Sequence, residues 1–102
     1  IHDKFKLNLA PPLIHPSAIV SPSASIGNGT VIMPNAVVNA AVSIGKNCII
    51  KQAIIDKNVR IGDGVVITPE GKPSDVQTDL YWMRDGIIVI PKNTVIPPGT
   101  VL

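Results

Sequence analysis

Aromatic rings are almost absent from this 102-residue chain, which holds one Trp, one Tyr and one Phe. A core built on large rings is therefore excluded, and smaller aliphatic side chains must fill the interior. Cysteine is nearly absent too. A lone Cys48 excludes an internal disulfide, and with no CxxC partner it gives no ground for a structural zinc. Charge is balanced, nine Lys and Arg against seven Asp and Glu, and the two signs are mixed along the chain. No basic run points to nucleic acid, and no stretch of about eighteen apolar residues points to a membrane span. No signal-peptide pattern is visible in the chain as given. With one cysteine, the expectation is a reducing, cytoplasmic setting. Nothing in the composition calls for a metal or a cofactor.

What the chain has is rhythm. Ile14, Val20, Ile26, Ile32, Val38, Ile44 and Ile50 recur every six residues. One five-residue step leads to Ile55, then Ile61 and Ile67 follow, and after a polar interruption Ile90, Ile96 and Leu102. A period of six fits neither a helix nor a hairpin sheet; it marks a solenoid of stacked coils. Two residues before each aliphatic position stands a small or β-branched one: Ala18, Ala24, Thr30, Ala36, Val42, Cys48, Ala53, Val59, Val65, Thr94, Thr100. Residues two apart in a strand share a face, so both members of each pair point inward. Cys48 therefore reads as a small buried hydrophobe. The residue before the small position is often Gly or Asn: Gly29, Asn35, Asn47, Asn58, Gly64, Asn93, Gly99. These enter the left-handed region at low cost and suit a sharp corner. Pro16, Pro22, Pro34, Pro91 and Pro97 fall where the chain is expected to turn.

On these residues the chain resembles the hexapeptide-repeat proteins, over 14–67 and 87–102. The resemblance implies an all-β fold, a single left-handed parallel β-helix of triangular section with about four coils of eighteen residues. It predicts three inward columns: Ile14, Ile32, Ile50 and Ile67; Val20, Val38 and Ile55; Ile26, Ile44 and Ile61.

Three regions leave the rhythm. Residues 1–12 alternate Phe5, Leu7 and Leu9 with Lys4, Lys6 and Asn8, then stop at Pro11 and Pro12. This reads as an N-terminal cap strand before a β-helix over 13–102, with the tail of a preceding domain as the alternative. Residues 68–86 form a polar extruded loop holding Tyr81 and Trp82 beside Arg84. The two aromatics are candidate partner contacts; the competing reading, which we favour, folds them back over the flank of the helix. The third departure is the step from Ile50 to Ile55, where the resemblance also changes. Residues 13–50, through Ile-Gly-Lys-Asn-Cys-Ile-Ile, resemble the repeat domain of sugar O- and N-acetyltransferases acting on UDP-linked amino sugars or sialic acid. Residues 53–102, with Arg-Asp-Gly-Ile-Ile-Val-Ile-Pro-Lys-Asn, resemble the C-terminal β-helix of ADP-glucose pyrophosphorylase. The seam suggests a fused, chimeric or engineered chain.

The acetyltransferase resemblance implies a general-base His soon after Cys-Ile-Ile, but Lys57 stands at the matching position. A lysine with its ordinary pKa is protonated at pH 7 and cannot accept a proton. His15 follows an inward residue and should point to solvent, which argues against a base. His2 and His15 do not suffice for the three-His zinc site of γ-class carbonic anhydrases of this fold. The pyrophosphorylase resemblance implies that chemistry lies in another, nucleotide-binding domain, while the β-helix gives subunit contacts. There Arg84 and Lys92 match basic positions that contact phosphate-bearing effectors in some members; the plain alternative is two solvated charges. Gly27-Asn28-Gly29 and Gly62-Asp63-Gly64 are corners and not phosphate loops. The expectation is a scaffold or assembly module without catalytic residues, metal or cofactor, forming a homo-oligomer, a dimer or trimer. The alternatives are a fragment of an acetyl-CoA-dependent sugar acetyltransferase and a regulatory domain of a sugar-nucleotide pyrophosphorylase.

Overall fold

A computed structural model of the chain describes residues 10–102; the expected cap strand lies almost wholly outside them. The β1 to β10 strands are Leu13–Ile14, Ile19–Val20, Ser25–Ile26, Val31–Ile32, Val37–Val38, Ser43–Ile44, Ile49–Ile50, Ala53–Ile55, Arg60–Ile61 and Val66–Ile67. Then come β11 (Val76–Gln77), β12 (Trp82–Arg84), β13 (Ile87–Ile90) and β14 (Val95–Ile96). Each short strand runs until a corner turns it, and every third strand stacks in parallel. Face I holds β1-β4-β7-β10, face II holds β2-β5-β8-β13, and face III holds β3-β6-β9-β14. The prism thus has four rungs on each face, and Val101 starts a fifth by bridging to Val66.

The inward columns pair as the rhythm predicts. Ile14, Ile32, Ile50 and Ile67 are in register on face I. Val20, Val38 and Ile55 continue to Ile90 on face II, and Ile26, Ile44 and Ile61 to Ile96 on face III. The small positions Ala36, Cys48, Ala53, Val59 and Val65 are fully buried between them. Large residues stack on large ones along the axis, and large and small alternate around each coil, which fills a narrow prism without rings.

All seven Gly and Asn corner residues singled out above take positive φ, between 58° at Asn47 and 75° at Gly29. Ala41 and Gln52 do so as well, at 58° and 46°. The five-residue step is absorbed at Lys51-Gln52, where the corner is one residue shorter and β8 starts at once with Ala53. The register across it is unbroken. On face III, Gly27 and Gly45 pack against the next coil's backbone. A Cβ on Gly27 would lie 2.6 Å from the carbonyl carbon of Gly45, and one on Gly45 would lie 2.7 Å from the Asp63 nitrogen.

The stretch 68–86 is not irregular throughout. β11 and β12 add two antiparallel strands beyond β13 on face II. Asp85 and Gly86 both have positive φ, 51° and 77°, as a two-residue hairpin turn of the Asp-Gly kind requires. Met83 of β12 faces inward opposite Ile88 and is buried, so the hairpin covers part of the core's C-terminal end.

Candidate functional site

The side chains that could carry chemistry sit at corners and on outer faces, held by stacking. His15 is exposed. Its Nδ1 accepts from the Ser17 amide at 3.0 Å and lies 2.9 Å from Ser17 Oγ, which itself accepts from the Asn35 amide at 3.0 Å. The next corner repeats this with no histidine. Ser21 Oγ accepts from the Ser23 amide at 3.3 Å, and Ser23 Oγ accepts from the Ala41 amide at 3.0 Å. The His15–Ser17 pair is therefore a corner fastening that a serine makes equally well. Lys57 is exposed on another corner, where its carbonyl accepts from the Asn93 amide at 3.0 Å. Cys48 is buried, and its thiol donates to the Gly62 carbonyl at 3.1 Å. Beside it, Thr30 Oγ1 donates to the Gly45 carbonyl at 2.7 Å and accepts from the Cys48 amide at 3.1 Å. Among the described residues no three His, Cys, Asp or Glu side chains come together as a metal-binding group. Among the described residues no helix is long and apolar enough to cross a membrane.

Arg84 and Lys92 do not converge. Arg84 lies opposite Ile87, at the start of β13, and Lys92 follows its far end. The Arg84 guanidinium donates to the Met83 carbonyl at 2.9 Å and sits 5.5 Å from the Trp82 ring centre. Tyr81 is half-buried against the edge of the core, with Lys72 Nζ 5.6 Å from its ring. Trp82 is half-buried on the outer side of face II, in register with Val89. Lys51 and Glu70 form an ion pair that fastens the start of the excursion to the third coil. Hydrogen bonding and charge from Lys51 lower the Glu70 pKa below its ordinary value.

The register shows outer features that reading single residues misses. On face I, Leu13, Val31, Ile49, Val66 and Val101 form one outward apolar column, with Leu13, Ile49 and Val101 69%, 43% and 73% exposed. Beside its first two rungs lies an apolar groove of about 430 Å³, lined by Leu13, Pro16, Val31, Met33 and Pro34 among others. On face II, Ile19, Val37, Ile54, Val89 and Trp82 form a second apolar column. Face III presents Ser25, Ser43, Arg60 and Val95 instead. Outward residues precede the inward ones by one position, so this contrast was present in the sequence once each unit was assigned to a face.

The fold and its register define a left-handed parallel β-helix, a solenoid of hexapeptide units. The model of the GLGC left-handed parallel beta-helix domain matches residues 35–101, and the chain belongs to that family. The match runs across the five-residue step. The chain is similar to the small subunit of glucose-1-phosphate adenylyltransferase of Triticum aestivum, chloroplastic/amyloplastic, at 44% identity over 59 residues. It is also similar to that of Zea mays, at 43% over 59 residues. Each match takes 56% of this chain, but it spans 12% of the wheat relative and 47% of the maize one. Among solved structures it is similar to the acetyltransferase domain of PglB from Neisseria gonorrhoeae in complex with acetyl coenzyme A. That likeness is 36% identical and covers 57% of this chain and 38% of that one, with a TM-score of 0.36.

Proposed function

We propose that this domain is a non-catalytic scaffold that joins copies of its own chain into a dimer or trimer through faces I and II. The observation that carries the reading is the pair of in-register apolar columns, set against a third face whose column is Ser25, Ser43, Arg60 and Val95, apolar only at its last rung. A contiguous exposed apolar surface of this kind is a mark of protein interfaces. A small net charge offers little long-range repulsion between copies. Lys57 at the base position and the structural use of His15 and Cys48 support the absence of catalysis.

The test is sedimentation velocity over a range of protein concentrations. The parent chain is expected to sediment as one discrete oligomer. Ile49→Asp combined with Val66→Asp should yield monomers with an unchanged β circular dichroism spectrum, because both side chains face outward. A parent chain that stays monomeric at high concentration would overturn the reading.

A second reading is favoured by the family. In it the domain is the assembly or regulatory part of a sugar-nucleotide-forming enzyme, with the chemistry in a separate domain. The enzymatic alternative is acetyl transfer to a sugar-linked amine. It is tested by assaying turnover of acetyl-CoA with a UDP-amino sugar; turnover lost in His15→Ala would replace the scaffold reading.

A further inference from the structure

Face II ends in two strands that run against the winding. We infer that the β11–β12 pair is a stop: it keeps the last coil from taking a second copy of the chain end-on, and so keeps assembly from running on into a fibre. It acts at the end of the prism, apart from the lateral contacts proposed above.

Elsewhere among the described residues the prism grows by parallel addition. Each rung leaves an edge of N–H and C=O groups, and the rung one coil later fills it. On face II the edge of β13 away from β8 is filled by β12 instead. β12 is antiparallel to it, with Trp82, Met83 and Arg84 opposite Val89, Ile88 and Ile87. β11 adds one more antiparallel strand, so face II runs two strand spacings, about 10 Å, past its last coiled rung. On face I only the Val101 bridge follows β10, and on face III no strand follows β14 among the described residues. The projecting pair therefore also holds a flat incoming coil away from the edge of β14.

The two ends of the prism differ in the way a stop requires. Met83 is 1% exposed against Ile88, and Ile88 and Ile90 are fully buried, whereas Ile14, inward on the first rung, is 42% exposed. β1, β2 and β3 are the outermost strands at that end among the described residues. β2 and β3 have the edges that β13 and β14 would accept, with Val20 to lie over Ile90 and Ile26 over Ile96. Both inward columns would run on from one copy into the next. A head-to-tail contact of this kind is heterologous and does not close, so its product is a filament.

The pair is firmly made and is itself a poor template. Between β11 and β12, the Thr78 amide donates to the Tyr81 carbonyl at 2.8 Å, and Thr78 Oγ1 accepts from the Leu80 and Tyr81 amides at 3.3 and 3.1 Å. At the Asp85-Gly86 turn, the Gly86 amide donates to the Ser74 carbonyl at 3.2 Å and Asp75 Oδ1 accepts from the Asp85 amide at 3.3 Å. The outer strand β11 is two residues long and stands between exposed Pro73 and Asp75 on one side and exposed Asp79 on the other. Short edge strands flanked by proline and charge resist pairing with another sheet.

The test removes the pair and keeps the winding. Deleting residues 70–86 returns the step from Ile67 to Ile90 to six residues. With Ile87→Asn and Ile88→Ala added, the unit repeats the one from Ile32 to Val38, with Pro, Asn and Ala in the same places. This variant should keep its β circular dichroism and melting transition. Its mass by sedimentation should rise continuously with concentration, where the parent gives one discrete species. Electron microscopy should show filaments that diffract at about 4.8 Å along their length. Val20→Lys, which charges the accepting end, should abolish them. Should the deletion variant not fold, Met83→Asp serves in its place: it leaves every coil residue intact, expels β12 with a buried charge and should grow in the same way. A folded variant of either kind that sediments like the parent would overturn the stop, and so would filaments that survive Val20→Lys. Loss of the fold in both would overturn it as well, since coils that cannot form without the pair make it part of the core. In the Ile49→Asp with Val66→Asp background lateral assembly is removed, and the deletion should still give filaments. A monomeric parent therefore refutes only the scaffold, and a deletion variant of fixed mass refutes only the stop.

Discussion

At the scale of single residues, what a position tolerates is set by the coil above it. Ala41 is held at φ 58°, in the left-handed region that an L side chain enters at a cost of about 1–2 kcal/mol. Ala41→Gly should therefore stabilise the fold by about 0.5–1 kcal/mol, after allowing for the greater freedom glycine gives the unfolded chain. Gly45 is the opposite case, because a Cβ there would meet the Asp63 nitrogen at 2.7 Å. Gly45→Ala should cost about 2 kcal/mol or more, since the obstacle is backbone and cannot rotate away. Urea unfolding of both variants checks the pair, and a Gly45→Ala protein as stable as the parent would refute close stacking there. The corners at Asn35, Asn47, Asn58 and Asn93 were legible in the sequence because Asn marks such turns. Those at Ala41 and Gln52 were not, since nothing in either side chain announces a conformation imposed by neighbouring rungs.

At the scale of elements, the parallel strands followed directly from the rhythm, since a period of six leaves one inward aliphatic and one inward small residue per strand. The excursion was harder to read. Asp85-Gly86 between Trp82-Met83-Arg84 and Ile87-Ile88 is a strong hairpin signal, but the antiparallel strands it joins break the period that organises the rest. The column change from Ile55 to Ile90 becomes visible only when that hairpin is taken out of the count. The excursion's tether makes a pH prediction. Glu70 has a lowered pKa in the folded protein, so its contribution to stability is present above the unfolded glutamate's ordinary value and fades as pH falls through the folded one. Acidification should therefore release the start of the excursion while the coils persist. Protection factors of the backbone amides within 70–75, corrected for the intrinsic pH dependence of exchange, should fall at low pH in the parent, whereas Glu70→Gln should show the lowered protection already at neutral pH. Equal exchange in the two proteins at neutral pH would show that the pair holds nothing.

At the scale of the whole molecule, the core is a single cluster running along the axis, and each coil is stabilised mainly by the coils beside it. Damage in the middle should spread. Ile32 is 1% exposed and pairs with Ile14 on one side and Ile50 on the other. Ile32→Asp puts an unpaired charge between them and should cost about 4 kcal/mol or more, enough to abolish the cooperative fold. Loss of the β circular dichroism signal and of the melting transition is the expected result; a retained transition would contradict a shared core.

The stacked register also dictates how the molecule should yield to tension. Every ladder bond lies parallel to the axis, so a pull on the two termini tears open one turn of the spiral at a time instead of shearing many bonds together. A single-molecule stretching trace should show a staircase of small, low-force releases. Each would free about 60 Å of slack, the extended length of eighteen residues, with one longer step where the hairpin lets go.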